Sequence, residues 1–228
     1  VLPDLLAALR TNSCVVLKAP TGAGKTTRVP PAIFAAGLAG EGNVVMLEPR
    51  RIAARATARR IAFEQGTPLG REVGYRVRFD EQISSATRIM VVTDGILLRK
   101  LQTDPFLEGL SVVIFDEFHE RNLNCDLALG MVRRVQQTVR PDLKIVVMSA
   151  TFDCQPIAKF LGDCPIIESQ GRLFPVDIRY LKFRDRQPIQ ELAVAGIEQM
   201  LDHTSGDILV FLPGVPEIHR TSRELESL

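Results

Sequence analysis

Near the start of this chain a strand, a glycine-rich turn and a helix follow one another, and that order limits the fold more than any other feature. Cys14-Val-Val-Leu-Lys18 is an apolar run of the kind that a parallel sheet buries on both faces. It leads into Ala19-Pro-Thr-Gly-Ala-Gly-Lys-Thr-Thr27, and the stretch 25–36 then reads as a helix. Gly24, Lys25 and Thr26 hold the G-K-[ST] positions of a phosphate-binding loop, and Ala19 stands where the first glycine usually lies. In such a loop the backbone from Thr21 through Gly22, Ala23, Gly24 and Lys25 to Thr26 and Thr27 wraps phosphate oxygens. The lysine reaches the β/γ oxygens and the hydroxyl ligates Mg²⁺. A glycine-containing turn can carry these letters by chance, but the strand before it and the helix after it are the setting the chemistry needs.

A second stretch gives the loop its meaning. Val112-Val-Ile-Phe-Asp-Glu-Phe-His119 is a buried-strand pattern that ends in two adjacent carboxylates. Asp116 is placed to hold the Mg²⁺ shell, partly through water, and Glu117 to orient and deprotonate an attacking water. An acidic pair at a strand end often only faces solvent, so the weight rests on the two motifs together. They imply a chain that binds a nucleoside triphosphate and cleaves it to the diphosphate.

Hydrophobic residues make up 46% of the 228, enough for one full domain and part of another. No uncharged apolar run is long enough for a membrane span, and no charged-then-apolar leader opens the chain. A start at Val1 rather than Met suggests a trimmed chain. Cys14, Cys125, Cys154 and Cys164 lack C-x-x-C spacing, so they read as reduced thiols of a cytoplasmic protein rather than metal ligands. The net charge is only +1, yet residues 50–100 carry eleven Lys/Arg against five acids. Arg51, Arg55 and Arg59 recur at i, i+4, i+8, which makes a stripe on one helix face. A solvated face is the ordinary outcome of such a cluster; beside a phosphate-cleaving site it suggests a polyanionic partner.

The remaining pattern alternates. Strands are expected at 15–19, 44–47, 88–93, 112–116 and 144–149, and helices at 4–10, 25–36, 52–65, 95–101 and 123–139. This predicts an α/β fold, a parallel sheet covered by helices on both faces, with Lys25, Asp116 and Ser149 converging just beyond the strand carboxyl ends. After Gly171-Arg-Leu-Phe-Pro175 the pattern restarts with strand 176–181, helix 189–201, strand 208–212 and a helix from about 217. The expected division is a complete first domain over 1–171 and a partial second over 172–228.

Five motifs in fixed order resemble a known group. The loop 19–27, Leu47-Glu-Pro-Arg-Arg-Ile-Ala-Ala54, Thr93-Asp-Gly-Ile-Leu-Leu-Arg99, Asp116-Glu-Phe-His-Glu-Arg121 and Ser149-Ala-Thr151 are similar to the DEAH/RNA-helicase-A group of superfamily 2 helicases. Phe118, where most relatives carry Ala, and Leu47-Glu-Pro-Arg-Arg51 look most like its bacterial HrpB branch. The resemblance implies two RecA-like domains, ATP hydrolysis with Mg²⁺, and movement on or remodelling of single-stranded nucleic acid, RNA foremost. It implies that Arg50, Arg51 and Thr93 hold the nucleic-acid backbone and that Arg60 stacks on the nucleotide base. It also implies that His119, Ser149 and Thr151 link the nucleotide site to RNA and to the partner domain. Leu209-Val-Phe-Leu-Pro-Gly214 resembles the opening of the second RecA-like domain, whereas His203 and His219 match nothing in the pattern.

The family's second domain supplies arginine fingers from Gln-x-x-Gly-Arg-x-Gly-Arg, and no such string occurs here. The expectation is therefore an N-terminal fragment, monomeric and poorly active alone, whose missing C-terminal domains complete the site. A nucleotide-switched RNA-binding scaffold is the alternative, and Glu117 argues against it because a pure switch gains nothing from a base. The adjacent Asp-Glu and Ser-Ala-Thr argue against a kinase, and the lack of Leu-Ser-Gly-Gly-Gln against a transporter ATPase.

Overall fold

A computed structural model describes residues 1–150, 153–169, 175–181 and 187–226. The chain divides into two compact units, Val1–Leu173 and Phe174–Leu228. The expected boundary at 171/172 falls outside the described residues.

In the first unit the strands are β1 (Cys14–Lys18), β2 (Asn43–Leu47), β3 (Val73–Val77), β4 (Asp80–Gln82), β5 (Ile89–Val92), β6 (Leu110–Phe115), β7 (Lys144–Ser149) and β8 (Ile166–Glu168). They form one sheet in the order β4-β3-β5-β2-β6-β7-β1-β8, and every pairing is parallel except β3 with β4. The helices are α1 (Leu2–Thr11), α2 (Lys25–Ala35), α3 (Arg51–Glu64), α4 (Asp94–Thr103), α5 (Leu123–Thr138) and α6 (Gln155–Phe160).

Strand alternation builds a core on each face. Val45, Leu47, Val113, Phe115 and Val147 pack under α4, α5 and α6. Val44, Met46, Val112, Ile114 and Val146 pack under α1, α2 and α3. Successive side chains point to opposite faces, so a continuous apolar run is what a doubly covered strand requires. β2, β6, β7 and β1 are consecutive in the sheet, which puts the segments after their carboxyl ends side by side.

The hairpin β3–β4 and the edge strand β8 were not expected from the sequence. β3 (Val73-Gly-Tyr-Arg-Val77) is broken by Gly and Arg and β4 is wholly polar (Asp80-Glu-Gln82), so neither carries the unbroken apolar signal of a buried strand.

The second unit corrects the sequence reading. Its helices, α7 (Ile189–Leu201) and α8 (Val215–Leu225), pack on each other, α7 with the bounds expected. The predicted strands at 176–181 and 208–212 are not strands. Val176, Ile178, Tyr180, Leu209 and Phe211 stand exposed along them. An apolar extended segment becomes a strand only when a neighbour pairs its backbone, and among the described residues of this unit none does. No helix among the described residues is long and apolar enough to cross a membrane.

Candidate active site

The phosphate-loop segment turns tightly between β1 and α2. Gly22 and Gly24 have φ of 77° and 75°, the left-handed region that a side chain strains to adopt, and Gly24 caps α2. Ala19 is not among the left-handed residues, and its N–H donates to the Ser149 carbonyl at 3.0 Å. A methyl group is therefore no obstacle where a glycine usually stands. Lys25 opens α2 buried, with Thr26 and Thr27 behind it half-buried. Thr21, Gly22 and Ala23 are exposed at the turn.

Across from the loop, Asp116 and Glu117 follow β6. Glu117 sits at φ 47°, left-handed backbone that a non-glycine residue adopts at a cost. Its N–H donates to Asp116 Oδ1 at 2.8 Å, and its Oε1 accepts from Lys25 Nζ at 3.0 Å. His119 Nε2 lies 3.3 Å from Glu117 Oε2. His119 Nδ1 accepts the Ala150 N–H at 3.4 Å, which leaves the ring proton on Nε2, facing the carboxylate. One chain of contacts thus runs from the phosphate loop through Glu117 and His119 to the Ser149-Ala-Thr151 segment. Among the described residues the link is the Ala150 backbone, and Ser149 Oγ is buried with no hydrogen-bond partner among them. Thr151 lies outside the described residues.

Asp116 is only 1% exposed, and its Oδ2 has no hydrogen-bond partner among the described residues. Burial pushes its carboxyl up to about 6; the Thr26 hydroxyl opposes that rise and the charge of Glu117 adds to it. An orphaned carboxylate oxygen beside a threonine hydroxyl is an oxygen-only donor pair, the chemistry Mg²⁺ takes when phosphates and waters fill its other positions. No group of three or more His, Cys, Asp or Glu that could hold a metal occurs among the described residues.

One site residue was missed. Glu48, directly after β2, is 5% exposed, and its carboxyl is pushed up to about 7 by burial and then by the charges of Asp116, Glu117 and Glu120. The motif 47–54 contained it, but its place beside Asp116 follows from β2 and β6 being neighbours, and no local pattern states that.

The basic residues are partly engaged. Arg50 donates to Glu120 at 2.9 Å, Arg51 to the Arg78 carbonyl at 2.6 Å, and Arg55 pairs with Asp80 at 2.8 Å. The stripe on α3 therefore faces the unforeseen hairpin as well as solvent. Thr93 is buried at the start of α4. Arg60 is exposed on α3, its Nε 2.6 Å from Glu64 and its guanidinium over the Phe63 ring at 5.8 Å. All four cysteines are buried.

Phe118, set between Glu117 and His119, is buried in the core with its ring edge-on to Phe115 at 6.3 Å, and the Arg121 guanidinium lies 5.4 Å over it. Phe118→Ala should lower unfolding free energy by about 3–5 kcal/mol, the usual cost of emptying a buried phenyl site. Urea denaturation checks this; a loss below about 1 kcal/mol would mean that the turn carrying Glu117 is held by something else.

Three comparisons bear on this geometry. The sequence profile of the DEAD/DEAH box helicase family matches residues 3–160. The ATP-dependent RNA helicase HrpB of Escherichia coli is 45% identical over the whole chain, and the ATP-dependent RNA helicase HrpA homolog of Haemophilus influenzae is 42% identical over 98% of it. The chain spans 28% and 17% of the lengths of those two relatives. A crystal structure of the E. coli DEAH/RHA helicase HrpB superposes with a TM-score of 0.90 at 45% identity, covering all of this chain and 29% of that one.

Proposed function

This chain belongs to the DEAD/DEAH box helicase family, and on that premise we propose that it is the ATP-hydrolysing core of an ATP-dependent RNA helicase. The observation that carries the reading is the meeting of Lys25 and Glu117 at 3.0 Å, with the unpartnered oxygen of Asp116 beside them. Backbone N–H groups from Thr21 to Thr27 cradle the phosphates of ATP and Lys25 neutralises the β/γ oxygens. Thr26 and Asp116 would hold Mg²⁺, Asp116 partly through water, and the ion would supply positive charge to the phosphate oxygens. Glu117 orients the attacking water and takes its proton, and His119 donates Nε2–H to the far oxygen of that carboxylate, fixing its aim. Arg60 stacks its flat guanidinium on the base after leaving Glu64.

Arg50, Arg51 and Thr93 bind the backbone of single-stranded RNA. Ser149 and Thr151 carry the state of the nucleotide to the RNA side through the Ala150–His119 contact. In this reading the first unit is RecA-like domain 1 and the second begins RecA-like domain 2, completed by C-terminal domains of the kind its longer relatives have room for. The protein works as a monomer in the cytoplasm.

Phosphate release from ATP, measured with and without Mg²⁺ and single-stranded RNA in the longer protein, tests the reading; it should require the metal and rise with RNA. Backbone recognition makes a second expectation. Arg50→Ala or Arg51→Ala should weaken unrelated single strands alike and reduce the slope of log affinity against log salt by roughly one unit each. A change in sequence preference instead would mean that these arginines read bases.

A further inference from the structure

The turn between β3 and β4 carries an aromatic side chain that the site above does not use. Phe79 is 86% exposed and sits at φ 66°, a backbone region that a bulky residue avoids. A phenyl ring turned to water at a strained position gains nothing from burial, so the strain points to a use at the surface. The turn is also firmly held. Tyr75 donates to Asp80 at 2.9 Å, Arg55 pairs with the same carboxylate, and Arg76 pairs with Glu81. Arg51 donates to the Arg78 carbonyl, which ties the tip to the first turn of α3.

Its position and charge indicate what the ring meets. β3 runs parallel to β5, with Arg76 opposite Val92, so the turn after Val77 leaves the sheet at the same carboxyl edge as Thr93. The Arg78 guanidinium lies over the Phe79 ring at 4.7 Å. Among the described residues no carboxylate pairs with Arg51 or Arg78, so the tip presents uncompensated positive charge around an aromatic face. A phosphate-binding rim with a flat ring inside it is the combination that single-stranded nucleic acid takes, phosphates on the cations and a base on the ring.

We propose that Phe79 is a base-stacking platform at which the single strand held by Arg50, Arg51 and Thr93 rests one base on the phenyl ring. The proposal rests on the nucleic-acid reading given above. Stacking needs a π-face and no hydrogen-bond pattern, so Phe79 adds affinity without sequence preference.

The chain contains no Trp, so Phe79→Trp introduces a single indole reporter. Anisotropy of a labelled oligouridylate and of an abasic strand of equal length measures binding, and indole emission reports stacking. Phe79→Ala should weaken oligouridylate about tenfold and leave the abasic strand unchanged. In the Phe79→Trp chain, oligouridylate should quench the indole and the abasic strand should not. Equal weakening of both strands by Phe79→Ala, or no weakening of either, overturns the platform. So does indole emission that responds alike to both strands, the result expected if the ring only abuts another protein surface. If the wild-type chain binds neither strand, the nucleic-acid reading itself fails and takes the platform with it; binding of both strands with no base-dependent difference removes the platform alone.

Discussion

Glu117→Gln should lower steady-state phosphate release from Mg²⁺–ATP by roughly 10²–10⁴-fold while ADP binding holds or tightens. The amide keeps the size of the side chain and an oxygen that can face Lys25, but it cannot accept a proton from water. Binding is spared because the phosphate cradle, Thr26 and Asp116 are untouched. It can tighten because Lys25 Nζ, 3.0 Å from Glu117, no longer leaves a full ion pair to reach a phosphate. Lys25→Ala, by contrast, should lose binding and turnover together. Phosphate release and equilibrium titration with a fluorescent ADP separate the two variants. A Glu117→Gln protein turning over within a fewfold of wild type would remove Glu117 from the role of base.

Asp116→Asn should abolish Mg²⁺-dependent hydrolysis and yet stabilise the metal-free protein at neutral pH. The direction follows from the raised carboxyl. Burial pushes the Asp116 carboxyl up to about 6 from its ordinary 3.8, so between those values the native state holds a proton that the unfolded chain has released. Stability then falls as pH rises through that window, and the cost stays in place above it. Two units correspond to about 3 kcal/mol, of which Asn, neutral at every pH, is relieved. Asn retains the oxygen that accepts the Glu117 N–H. The gain in denaturation midpoint should be largest near pH 7.5 and fade below about pH 4. Mg²⁺ with ADP should raise the midpoint of wild type and leave the variant unmoved. An Asn variant less stable than wild type at pH 7.5 without metal would show that Lys25 and Thr26 already compensate the buried charge.

Much of the first unit was legible because its strands are buried on both faces. An unbroken apolar run such as Ile145-Val-Val-Met148 has few other ways to exist, and β7 formed with the bounds read from the sequence. Helix α7 was equally plain. What failed was whatever depends on a neighbour. Residues 208–212 have the composition of a strand and, among the described residues, no partner to pair with; Asp80-Glu-Gln82 has the composition of a loop and is a strand because β3 lies beside it. In the site, the loop glycines and the Asp-Glu pair were readable because their chemistry is local. The Lys25–Glu117 pair joins residues 92 apart, and the burial of Glu48 arises from sheet order; both are products of topology. The contact between His119 and the Ala150 peptide N–H joins residues 31 apart and uses a group that every residue would supply, so no letter of the sequence marks it.

Phe118 makes the placement of the Glu117 carboxylate a property of the interior. Glu117 and Arg121 both adopt left-handed backbone on either side of a ring sunk among the side chains beneath α4 and α5. The short turn cannot shift unless that ring shifts. Small voids opened elsewhere under the same helices, at Leu97 or Leu129 for instance, therefore have a path to the carboxylate without touching nucleotide. Such defects would surface first as slowed catalysis in a protein that still melts cooperatively, the enzyme losing its aim before it loses its shape.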